Sequence, residues 1–122
     1  MWFVFRSGLH NVTYVDKVDG SKTKVEGNES IEFTGETDRV YRDGGKNGNR
    51  IVINGSLQVT GSDSMPDIVV WNPWETKAKA SVDLGERNFP KFVCVEVGRA
   101  NDPVTLDKGQ SWKGAHEMTL LG

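Results

Sequence analysis

The chain has 122 residues, a formal net charge of −2 from 15 basic and 17 acidic side chains, and four tryptophans; 36% of residues are hydrophobic and 26% charged. This length and composition suit one folded domain, expected over residues 1–122, better than two domains or a disordered chain. Scattered charge argues against a nucleic-acid surface, no apolar run nears the roughly 18 residues of a membrane span, and a lone cysteine, Cys94, excludes an internal disulfide.

Trp2-Phe3-Val4-Phe5 at the start is followed by Arg6-Ser7-Gly8 and shows neither the basic region nor the cleavage site of a signal peptide, so a cytoplasmic location is expected. Sequons at Asn11, Asn28 and Asn54 carry little weight without a secretion signal. Strands are predicted at 2–6, 12–18, 23–25, 30–34, 38–42, 50–54, 57–60, 68–71, 91–97 and 112–120, punctuated by 14 glycines. Many short strands with regular turn signals read as an all-β, antiparallel sandwich or barrel. Asn54-Gly55 is the clearest hairpin turn, since both residues tolerate the positive φ of a type I′ turn; Asp19-Gly20-Ser21 predicts a second. The one predicted helix is 74–80, with Pro73 at its first position. The run Gly44-Gly45-Lys46-Asn47-Gly48-Asn49 lacks the Gly-Lys-Ser/Thr ending of a phosphate loop and reads as a hairpin loop.

The segment 91–97 carries the most chemistry. Alternation puts Val93, Val95 and Val97 on one face, as a packed interior, and Phe92, Cys94 and Glu96 on the other. If that second face is covered, burial raises the Glu96 pKa toward the range of a general base; if it is open, Glu96 is solvated. Alternation leaves both open. The facing of Glu36-Thr37-Asp38-Arg39-Val40-Tyr41-Arg42 is also undecided, although a bulge at Gly35 would re-aim the side chains after it. Trp71-Asn72-Pro73-Trp74 forms an aromatic corner, either core packing or a wall against which a sugar stacks.

At these segments the chain resembles the hexose-6-phosphate mutarotases (glucose-6-phosphate 1-epimerases) of the aldose 1-epimerase superfamily. The resemblance runs through Gly8-Leu9, Tyr14-Val15-Asp16-Lys17, Phe33-Thr34-Gly35-Glu36-Thr37-Asp38-Arg39-Val40-Tyr41 and Asp67-Ile68-Val69-Val70-Trp71-Asn72-Pro73-Trp74-Glu75-Thr76-Lys77. It continues in Phe92-Val93-Cys94-Val95-Glu96 and the Val-Thr-Leu-x-x-Gly-x-x-Trp ending from Val104 to Trp112. It implies a large antiparallel β-sandwich that binds a hexose 6-phosphate on a concave face and interconverts its α and β anomers. Glu96 would be the catalytic general base and Asp38 a substrate-binding residue; no metal or organic cofactor is implied.

Family members are more than twice as long, and this chain resembles their C-terminal part. A fragment of a longer protein, or an incomplete gene model, is therefore expected. The family's acid histidine and its phosphate-gripping cations lie in the preceding part. His10 and His116 both fall outside the acid motif, and Arg39 and Lys91 read as solvated surface charges ahead of the alternative that either attracts a phosphate. A sandwich cut midway leaves inner-face valines and strand edges uncovered, so self-association through those edges is expected. The rival readings are a non-catalytic carbohydrate-binding fragment and a structural remnant.

Overall fold

The computed structural model describes residues 5–42 and 50–122. Among the described residues ten strands alternate with turns: β1 (Phe5–Ser7), β2 (Thr13–Asp16), β3 (Lys22–Val25), β4 (Ser30–Ile31), β5 (Thr37–Tyr41), β6 (Arg50–Ile53), β7 (Leu57–Gly61), β8 (Asp67–Asn72), β9 (Cys94–Gly98) and β10 (His116–Leu120). One helix, α1 (Trp74–Ala80), and a 3₁₀ turn at Phe89–Lys91 separate β8 from β9. The strands form two five-stranded sheets, ordered β10-β7-β6-β1-β4 and β3-β2-β5-β8-β9, with every pairing antiparallel. This is the mutarotase-like sandwich that the resemblance implies.

Strand alternation builds the core. In the second sheet Tyr14, Tyr41, Ile68 and Val70 face inward with Val93, Val95 and Val97, and meet Leu9, Ile31, Phe33, Ile51 and Ile53 from the other side. The inward valines match the expected interior of segment 91–97. Asn54 (φ 48°) and Gly55 (φ 68°) take the type I′ conformation, closed by the Ser56 N–H to the Ile53 carbonyl at 3.0 Å. Gly20 (φ 59°) and Ser21 (φ 57°) turn β2 into β3 likewise.

Several boundaries differ from expectation for local reasons. The predicted strand 91–97 starts only at Cys94, because Pro90 lacks an N–H and its fixed φ suits the 3₁₀ turn instead. Pairing in 112–120 begins at His116, after Ser62 Oγ accepts the Ala115 N–H at 2.9 Å. Segment 30–34 pairs only over Ser30–Ile31 before the chain bends at Thr34 and Gly35; Gly35 thus lies ahead of β5, not in a bulge within it. Pro73 precedes α1 as its N-cap instead of opening it. Residues 2–4 and the loop 44–49 lie outside the described residues.

Candidate active site

The register of the second sheet decides which side chains share its outer face. Asp38 pairs with Trp71 and Trp71 with Cys94, giving one row; Val15, Val40, Val69 and Glu96 make the next. Glu96, Asp38, Trp71 and Cys94 therefore share one surface, opposite the core. Asp38 and Glu96 sit two strands apart and two residues along, on the order of 12 Å between Cα atoms by standard strand spacing. Glu96 is exposed and Asp38 half-buried, so the open-face reading of Glu96 holds in this chain and the covered-face reading does not. Burial, reinforced by the Glu96 charge, pushes the Cys94 thiol above its ordinary range.

The aromatic corner divides its two tryptophans between roles. Trp74 packs against the core and lies 5.0 Å from the Phe89 ring, while Trp71 is on the outer face, 6.2 Å from Phe92. Asn72 holds the corner together and was not singled out by sequence reasoning as a structural residue. It is 2% exposed; its Nδ2 donates to the carbonyls of Phe89 and Phe92, both at 2.9 Å, and its Oδ1 accepts the Trp74 N–H at 2.8 Å. One amide thus fixes the start of α1, the 3₁₀ turn and the chain leading to Cys94 and Glu96. Trp74 sits at φ 57°, a left-handed conformation that a bulky residue adopts only when its surroundings hold it there. The sequence signal was an Asn-Pro pair at a strand end, where an Asx side chain commonly bonds the backbone two residues on.

Arg39 corrects an expectation. It is no solvated surface charge: it faces inward, where its guanidinium donates to Glu26 at 3.1 Å and lies 4.9 Å above the Tyr14 ring. Glu26 is 3% exposed and also accepts the Tyr41 hydroxyl at 2.7 Å. Burial pushes the Tyr41 hydroxyl far above its ordinary range, so it remains a donor. These contacts hold Arg39 inward, on the face opposite Glu96. Lys91 is exposed and reaches Asn88 Oδ1 at 3.3 Å.

Neither histidine joins Glu96. His10 is exposed in the turn before β2, and His116 opens β10 on the other sheet. A cavity of about 570 Å³ lies where the outer face ends, lined by Arg42, Asp63, Asp67, Arg99 and Asn101 among others, but by neither Glu96 nor Asp38. Asp67 accepts the backbone N–H groups of Ala100 and Asn101 there, at 2.8 and 2.9 Å. Among the described residues no three His, Cys, Asp or Glu side chains converge to hold a metal ion, and no helix is long and apolar enough to cross a membrane.

The fold is a two-sheet antiparallel sandwich with Glu96 and Asp38 on one outer face, and comparison with known proteins identifies its family. Residues 4–119 match the family model of aldose 1-epimerase, and the chain belongs to that family. A Cenchrus ciliaris protein described as "Putative glucose-6-phosphate 1-epimerase" is 33% identical over 118 residues, covering 93% of this chain and 35% of that protein. The crystal structure of a protein described as a "putative mutarotase (YeaD)" from Salmonella typhimurium matches with a TM-score of 0.71 and 28% identity, covering 84% of this chain and 34% of that one. The chain thus spans about a third of the length of these relatives.

Proposed function

We propose that this chain is the base-carrying part of a cytoplasmic hexose-6-phosphate mutarotase, with Glu96 as general base and Asp38 as a substrate-binding residue. The observation that carries the reading is the register that sets both carboxylates on one face of the second sheet, beside Trp71. The Glu96 carboxylate takes the proton of the C1 hydroxyl while an acid protonates the ring oxygen. The C1–O5 bond breaks, the aldehyde turns about C1–C2, and the C5 hydroxyl closes on its other face, giving its proton back to the acid's conjugate base while Glu96 returns a proton to the C1 oxygen. Asp38 accepts hydrogen bonds from sugar hydroxyls and Trp71 offers an apolar surface to the ring. The acid comes from outside this chain, since neither of its histidines faces Glu96.

That same absence favours a second reading for the chain alone: a carbohydrate-binding fragment without turnover. The test is exchange between the anomers of glucose 6-phosphate, followed by NMR, for the chain and for Glu96→Gln. Catalysis that falls about 10²–10⁴-fold in the variant supports the base. Catalysis above the uncatalysed rate that is equal in the two proteins removes Glu96 from the mechanism, and saturable binding without catalysed exchange supports the fragment reading.

A further inference from the structure

The strands that bear Asp38 and Glu96 run toward the cavity of about 570 Å³, which the reaction at Glu96 does not use. Register pairs Asp67 of β8 with Gly98 of β9, one row past the pair of Val69 and Glu96, and Arg42 follows β5 on the same side. Asp67 thus lies about 7 Å along the strands from the row of Glu96, on the same outer face. The volume is that of a small-molecule site.

One buried carboxylate builds the wall. Asp67 is 4% exposed, and its Oδ2 accepts the N–H groups of Ala100 and Asn101, which ties the turn after β9 to the start of β8. Arg99 in that turn is closed on Asp102, donating from Nε to its carbonyl and from Nη2 to its Oδ2, both at 2.9 Å. Two donors in the wall remain unpaired. The exposed Arg42 guanidinium has no ion pair or hydrogen bond among the described residues, and Asn101 Nδ2 is buried without a partner. A buried amide donor is costly to leave unpaired, so its presence in a cavity wall calls for a reason.

Charge decides what such a cavity takes. Asp63, Asp67 and Asp102 stand in its wall against Arg42 and Arg99, so an anion meets an excess of carboxylate and a cation meets an unpaired guanidinium. Unused donors beside carboxylate oxygens suit a neutral ligand whose groups both donate and accept, and hydroxyls do both. We propose that the cavity is a second sugar site, separate from the one at Glu96. The Arg42 guanidinium and the Asn101 amide donate to hydroxyl oxygens of a neutral saccharide, and Asp63 accepts from its hydroxyl groups. Neither Glu96 nor Asp38 lines the cavity, so the ligand needs no free C1 hydroxyl and the inference does not rest on the proposed reaction.

The test titrates the isotope-labelled chain with methyl β-D-glucopyranoside, which cannot exchange anomers, and follows amide signals by NMR. Saturable shifts are expected in the backbone amides of 98–102 and in the Asn101 side-chain amide, with a Kd of about 1–10 mM. Arg42→Met and Asn101→Ala should each raise that Kd about fivefold or more while the sheet amides keep their positions, as loss of one donor to the ligand requires. If one variant loses the spectrum of a folded chain, the other decides. Absence of saturable shifts in 98–102 up to about 100 mM, shifts confined to Trp71 and 94–96, or an unchanged Kd in a folded variant would each overturn the proposal. Displacement of the glycoside by inorganic phosphate would mark an anion site and overturn it as well.

Discussion

Replacing Asn72 by alanine tests whether one buried amide organises the approach to Glu96. The change removes three hydrogen bonds and leaves the Phe89 and Phe92 carbonyls and the Trp74 N–H without their partner. At about 1 kcal/mol net for each bond the loss is about 3 kcal/mol. Releasing Trp74 from its left-handed conformation returns about 1 kcal/mol, for a net destabilisation of about 2 kcal/mol. For a domain of this size that corresponds to a fall in Tm of about 8 °C. Thermal melts followed by tryptophan fluorescence read it directly, because Trp71 and Trp74 flank the site of change. Asn72→Asp sharpens the reasoning: at pH 7 it keeps the acceptor for Trp74 but sets a carboxylate against two carbonyls, so its melt should fall at least as far. Near pH 4.5 the protonated acid regains one donor and part of the loss should return. A Tm within about 3 °C of the parent for Asn72→Ala, or no pH-dependent recovery for Asn72→Asp, would refute the clamp.

Two further outcomes follow from the charges. Cys94 is held as a thiol by burial and by the Glu96 carboxylate, so Glu96→Gln should speed its alkylation by iodoacetamide at pH 8 about threefold; an unchanged or slower rate means the two groups do not interact. Asp16 is partly desolvated, which by itself would raise its pKa, but the Lys24 ammonium at 2.8 Å and the Val18 and Asp19 N–H groups hold it below its ordinary 3.8. A carboxyl depressed in the folded state stabilises above its unfolded pKa, and that contribution disappears as pH falls through the lower folded value. Urea midpoints should therefore decline as pH drops below about 4, and Lys24→Met should flatten that decline; parallel curves for the two proteins would exclude the pair as its source.

How much of the molecule could be read from the chain follows from how far each feature reaches along it. The positive-φ turns at Asn54-Gly55 and Gly20-Ser21, the helix after Pro73 and the two faces of 91–97 are local, set by backbone sterics and a period of two, and the structure has them all. The aldose 1-epimerase motifs were legible for the same reason, as short runs of neighbours. Alternation alone could not say whether Asp38 or Arg39 faces the core, because the two faces of β5 are equally mixed; pairing with β2 and β8 turned Arg39 inward to Glu26 and Asp38 outward. Nor could composition show Asn72 bonding residues 17 and 20 positions away, or Arg42, Asp67 and Asn101 lining one cavity. Those outcomes depend on register, which arises only when distant strands meet.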